Sequence, residues 1–226
     1  MDDTIIYYIC SILAFVPAIV LHEVAHGFAA YKLGDPTAKQ SGRLSLNPLK
    51  HVDPFGTVIL PLLLMVAHAP IFGYAKPVPY NPAYFKNRRT GDVIVGFAGP
   101  AANLAQAALG SAVAWVLYPM APQLVQTSEP FAYFYLMFLP LYVLVNLYLM
   151  MFNILPVPPL DGSSIYAVLI PERHLHVYYE IERYAMPVLL ILLLVVPYVS
   201  PIDPISIYMD ATAGNLANLM FPIRIS

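Results

Sequence analysis

The chain predicts an all-α polytopic membrane protein: a single integral-membrane domain over residues 1–226, with a core of three transmembrane helices. A re-entrant or β-strand segment associated with the membrane and one or two C-terminal helices complete the expected fold. Three observations carry this expectation. The sequence is 59% hydrophobic and only 11% charged, whereas soluble proteins carry about a quarter charged residues. Residues 93–128, 130–160 and 184–202 contain no Asp, Glu, Lys or Arg, and roughly 20 apolar residues in a helix cross the hydrocarbon core. The 23 prolines mark several apolar segments as kinked or interrupted, because a proline removes a helix hydrogen bond and clashes with the preceding turn.

The same composition excludes other classes. A net charge of -2 provides neither a basic field for nucleic acid nor an acidic tail for a basic partner. The lone cysteine, Cys10, rules out an intramolecular disulfide framework and a cysteine-based zinc site. It reads as a small apolar residue on a membrane helix. Asp2 and Asp3 stand where a secretory signal carries Lys or Arg, and no small-residue cleavage site follows, so the first apolar run reads as a retained helix.

That first helix covers residues 5–33, and its charge-free part ends at Leu21. Residues 32–50 turn polar, with Gly, Pro, Asn and Asp at turn spacing and the alternation Arg43, Leu44, Ser45, Leu46, the pattern of a loop with one or two short strands. Residues 54–75 are apolar again but broken by Pro61, His68 and Pro70 and bounded by Gly56 and Gly73, which leaves open whether they span or dip in and return. After a second polar stretch comes a helix over 93–118, whose Gly96, Ala98, Gly99, Ala101, Ala102, Ala105 and Ala108 let another helix come close. An uncharged loop over 119–128 leads to a Leu-rich, aromatic helix over 130–152, beyond which Pro156, Pro158 and Pro159 open the backbone. Residues 171–183 are polar, 184–201 form a further spanning run, and the last twenty, with Asp203, Asp210, Asn215 and Asn218, read as an interfacial or partly inserted helix.

The chemistry begins with His22, Glu23 and His26, an HExxH pattern inside the first helix. At 3.6 residues per turn, imidazoles four residues apart lie about 40° from each other around the axis, so both can bind one metal ion. Glu23, beside the first ligand, can then serve a metal-bound water as general base. Ionisable groups at membrane depth cost about 2.5–3.5 kcal/mol each, and a metal ion compensates for three in one turn. A helix end merely emerging into headgroups does not fit, because the next turn, Phe28 to Tyr31, is apolar again. A catalytic zinc usually takes three protein ligands, so one more must come from elsewhere. Asp161, His51, Asp53, His68, His174 and His176 are the candidates. Asp161 follows a proline-opened backbone and precedes Gly162, which frees the chain to turn; His51 and Asp53 sit in the turn pattern HVDP; His174 and His176 lie in a charged stretch and read as solvated.

HEVAH over 22–26, GRLSLNP over 42–48, AGPAAN over 98–103 and NILPVPPLDG over 153–162 together resemble the site-2 protease family of intramembrane zinc metalloproteases, in the family's order. The resemblance implies one Zn2+ per chain with ligands His22, His26 and Asp161, Glu23 as catalytic acid/base, and Asn153 as a candidate for substrate or oxyanion contact. It is to the short prokaryotic branch, with no PDZ region between the core helices and no appended soluble domain.

Charge distribution supplies a topology. Eight of the 11 Lys and Arg fall between Lys32 and Arg89, which the positive-inside rule makes cytoplasmic. His22 lies about 26 Å along the helix from Ile5, near the far side of a core about 30 Å thick. If residues 54–75 spanned, Asp161 would arrive at the face opposite His22; if they dip in and return, the zinc lies just inside the cytoplasmic face of the cell membrane in a multi-pass protein. The expected function is regulated intramembrane proteolysis: hydrolysis of a peptide bond within or near the transmembrane segment of a membrane-protein substrate, with that substrate and the lipid bilayer as partners. Residues 42–48, 51–56 and 74–79 could offer an edge to the unwound peptide. The alternative is a membrane metal-binding protein or transporter without hydrolytic activity, which has no chemical need for an acid at Glu23. Substrate identity, activating signal and oligomeric state leave no signal in the sequence.

Overall fold

A computed structural model describes residues 2–59, 63, 74–195, 199–200 and 202–225. Helix α1 (Asp3–Lys32) opens where the Asp2 carboxylate accepts from the Thr4 N–H, satisfying one of the free amides of a first turn. It passes through Pro17 and stops before Gly34, whose φ of +102° favours glycine. The short α2 (Thr37–Gln40) follows. Between them Asp35, fully buried, accepts from the Thr37 N–H and hydroxyl and from the Asn81 N–H, tying the end of α1 to the chain that leads into the next helix. Burial pushes its carboxyl up, and these donors outweigh burial and hold it below the ordinary carboxylate range.

Helix α3 (Arg88–Leu117) starts on Asn87, whose side chain accepts from the Thr90 N–H. Residues 119–128, expected as a loop, contain α4 (Ala121–Thr127); Pro122 sits in its first turn, where a proline loses no helix hydrogen bond. Helix α5 (Glu129–Ile154) is capped by Ser128, widens into a π-helical turn at Phe134–Phe138, and ends because Pro156 drives Leu155 out of the helical region to ψ 135°. Then come α6 (Asp161–Ala167) and α7 (Leu175–Leu194), which starts inside the charged stretch rather than after it. The last polar segment is helical, as α8 (Pro204–Met209), a π-helical turn and α9 (Asn215–Met220).

Among the described residues, three helices, α1, α3 and α5, are long and apolar enough to cross a membrane. α3 runs antiparallel to both of its neighbours. The Tyr135 hydroxyl reaches Ala114 O, Tyr142 reaches Gln106, and Asn146 meets Asn103, while Tyr133 reaches Asp3 at the far end of α1. The C-terminal ends of α1 and α5 and the N-terminal end of α3 therefore share one end of the bundle. The buried face of α3 holds Gly96, Gly99, Asn103, Ala107, Gly110 and Ala114, three or four residues apart as one helix face requires. Ala105 and Ala108, expected on that face, fall between those positions and are exposed.

The C-terminal segment lies against this core. Ala213, Ala217 and Phe221 pack with Ala107, Ala114, Tyr135, Val143 and Leu147, Trp115 Nε1 donates to Met220 O at 2.8 Å, and the Tyr208 hydroxyl donates to Met151 O at 3.1 Å. Outward, Tyr8, Ile12 and Leu13 on α1 and Phe97, Leu109 and Val116 on α3 are exposed, an apolar surface suited to lipid.

The β-strand part of the expected fold is corrected: no strand occurs among the described residues. Residues 43–47 and 74–80 are neither helix nor strand, and they are held by isolated bonds, Lys76 N–H to His51 O, Tyr74 N–H to Gly56 O and the Arg43 guanidinium to Lys76 O. On one side of residues 76–79 Pro77 and Pro79 have no N–H to donate, and on the other the Val78 N–H goes to the Glu23 side chain instead of continuing from Lys76 as a ladder. Of the segment expected to re-enter, Pro54–Ile59 forms a π-helical turn; residues 60–62 and 64–73, with His68, lie outside the described residues.

Candidate metal centre

His22 and His26 lie on the inner face of α1, 5% and 8% exposed, and Asp161 opens α6. His22 Nε2 is 3.0 Å from Asp161 Oδ2, His26 Nε2 is 3.2 Å from the same oxygen, and the two Nε2 atoms are 3.0 Å apart. A tetrahedral zinc with ligand bonds of about 2.0–2.1 Å separates its ligand atoms by about 3.3 Å, so this triangle has the dimensions of one tetrahedral face.

Protonation supports the same reading. His26 Nδ1 is 2.7 Å from Val95 O, and since a carbonyl only accepts, that nitrogen carries the proton. His22 Nδ1 likewise donates to Asn103 Oδ1 at 2.6 Å. A neutral imidazole protonated on Nδ1 keeps its lone pair on Nε2. Both lone pairs thus converge with Asp161 Oδ2, which is buried and without a hydrogen-bond donor. Three acceptors facing one another in a buried site call for a cation between them.

Two glycines let the backbone come this close. A Cβ on Gly99 would stand 2.6 Å from both Cε1 and Nε2 of His22 and closer still to His26 Nε2. A Cβ on Gly162 would collide with the Ile154 and Leu155 carbonyls, so only glycine lets α6 fold back against the end of α5 and carry Asp161 to α1. This is the role of the glycine after Asp161 that sequence reading assigned only to chain freedom.

Glu23, half-buried beside His22, accepts from the Val78 N–H through Oε2 at 2.9 Å. Asn153 donates its Nδ2 to Leu149 O, one turn back on its own helix. Of the other candidates for the third ligand, His51 is 2% exposed and its Nε2 bonds Ser45 O, pinning the loop after α2. Asp53 accepts from Phe55 and Gly56 N–H in a local turn. His174 and His176 are exposed. Among the described residues, His22, His26 and Asp161 form the group able to hold a metal ion. Two participants escaped sequence reading, Asn103 and Asn146. The signal for Asn146 was present, since an amide inside an apolar run is costly at membrane depth.

Three helices able to cross a membrane, with two imidazoles of α1 and the Asp161 carboxylate of α6 converging among them, fit the class of membrane metalloproteins. The chain matches the model of Peptidase family M50 over residues 10–196. It is 36% identical over 217 residues to "Putative zinc metalloprotease YwhC" of Bacillus subtilis (strain 168), covering 94% of this chain and 92% of that protein. It is 32% identical over 155 residues to "Putative zinc metalloprotease Rip2" of Mycolicibacterium smegmatis, covering 69% of this chain and 55% of that one. No solved structure matches the chain. The chain belongs to peptidase family M50, the site-2 protease family, and is an intramembrane zinc metalloprotease.

Proposed function

We propose that the protein hydrolyses peptide bonds within or at the edge of transmembrane segments of membrane-protein substrates, with one Zn2+ per chain held by His22, His26 and Asp161. The observation that carries this reading is the convergence of two Nε2 lone pairs and one carboxylate oxygen beside Glu23. Zinc held there would polarise the scissile carbonyl and lower the pKa of a water toward about 7. Glu23 takes the proton and returns it to the leaving amine. The Val78 N–H fixes one of its carboxylate oxygens, which orients the other for the transfer. Asn153 contacts the substrate or the oxyanion through the Nδ2 proton that Leu149 O does not take. The substrate helix unwinds locally to bare its backbone, and the non-helical residues 74–79 beside Glu23 provide main-chain partners for it.

Purified protein in proteoliposomes is expected to cleave a transmembrane test substrate, to stop when a zinc chelator is added, and to resume on zinc addition. Zinc flux across the vesicle without cleavage would replace this reading with metal transport.

The orientation belongs to the same proposal. The end of α1 and the start of α3, which share one end of the bundle with the end of α5, bracket the stretch with eight of the 11 Lys and Arg, which supports a cytoplasmic placement of the metal centre in a multi-pass protein of the cell membrane. Lys50→Cys and Lys86→Cys, each in a Cys10→Ser background, are expected to react with an impermeant thiol reagent from that side only. Labelling from opposite sides would defeat the placement.

A further inference from the structure

We propose that Asn146 and Asn103 form an amide relay that sets the tautomer and aim of His22, with Asn103 the positioning residue of this ligand. The proposal deepens the zinc-protease reading and rests on His22 being a ligand.

The relay is anchored on groups that cannot exchange roles. Tyr142 O is a main-chain carbonyl and only accepts, so Asn146 turns Nδ2 toward it, at 2.9 Å, and Oδ1 toward Asn103. Ala18 O is another obligate acceptor and takes one Nδ2 proton of Asn103 at 3.1 Å, while Asn146 Oδ1 takes the second at 2.9 Å. With both N–H bonds committed, Asn103 presents Oδ1 to His22 Nδ1 at 2.6 Å. Both amides are 0% exposed, so no water substitutes for a missing partner. Reversing Asn103 would set its oxygen against two acceptors and its N–H against His22 Nδ1. The imidazole proton would then move to Nε2 and remove the lone pair from the metal centre.

His26 is served differently. Its Nδ1 donates to Val95 O, a main-chain carbonyl that no side-chain substitution removes. The two ligands therefore provide an internal comparison, since only His22 depends on a side chain. The relay also joins all three spanning helices, from Ala18 on α1 through Asn103 on α3 to Asn146 and Tyr142 on α5, at the level of the site.

The test uses the full chain in detergent, with zinc affinity measured by competition with a chelator. Asn103→Leu is expected to bind zinc about 10–100-fold more weakly. Adding Asn146→Leu to Asn103→Leu is expected to weaken binding no further, because Asn146 acts through Asn103. In the zinc-loaded protein labelled with 15N-histidine, Asn103→Leu is expected to shift the Nδ1–H signal of His22 and leave that of His26 in place. Wild-type zinc affinity in Asn103→Leu, or joint movement of both imidazole signals, would overturn the relay. Should the variants fail to fold, the wild-type spectrum still decides: a His22 proton on Nε2 overturns the proposal, and one on Nδ1 supports it. A wild-type chain that binds no zinc would overturn both this and the zinc reading, whereas zinc binding without cleavage would leave the relay standing.

Discussion

Glu23→Gln is expected to keep its zinc and to lose cleavage of a membrane-embedded substrate by about a hundred- to ten-thousand-fold, the range a positioned general base contributes. Glutamine has the shape of glutamate, and its amide oxygen can still accept from the Val78 N–H that now bonds Glu23 Oε2 at 2.9 Å. The side chain therefore keeps its place and loses only the capacity to take a proton. Zinc is expected to stay because Glu23 is outside the group able to hold a metal ion, His22, His26 and Asp161. Zinc content and single-turnover cleavage, measured on the same proteoliposome preparation, check both halves of the expectation. Cleavage at the wild-type rate would end the general-base assignment, and loss of zinc would make Glu23 part of the metal site.

The second large effect is expected from one methyl group. Gly99→Ala would place a Cβ 2.6 Å from His22 Nε2 and nearer still to His26 Nε2, well inside ordinary contact distance. The imidazoles cannot yield freely, because each is held through Nδ1, by Asn103 and by Val95 O. Metal ligands tolerate displacements of only about 0.2 Å, so zinc affinity is expected to fall by about 100-fold, at the upper end of what perturbed ligand orientation costs. Gly96→Ala is the control on the same face of α3. Its Cβ would meet Asp161 O and Ser164 Cβ at 3.2 Å, a contact less severe than that at Gly99 and aimed at α6 rather than at the imidazoles, so its zinc affinity is expected to fall less than that of Gly99→Ala. Chelator competition measures both variants. Full zinc affinity in Gly99→Ala would mean that α3 does not press on the metal centre.

What was legible in the sequence by itself was local. Charge-free length marked α1, α3 and α5, because crossing a bilayer is a requirement on consecutive residues. The pairing of His22 with His26, and Glu23 beside them, followed from helical period alone. Resemblance pointed to Asp161, but the residues themselves left six candidates for the third ligand, since Asp161 reaches α1 only after Gly162 allows α6 to fold back on the end of α5. Only the tertiary structure decided that His51 and Asp53 serve turns instead, and that residues 43–47 do not pair as strand. It also decided which face of α3 is buried and that Asn103, bonded to Asn146, meets His22. Those outcomes depend on which backbone carbonyl, proline or small residue stands opposite across a helix interface, and that identity is carried by another part of the chain. A hydrogen bond such as Asn103 Nδ2 to Ala18 O joins residues with no sequence relation, so packing of the three helices, rather than any local pattern, gives the metal centre its geometry.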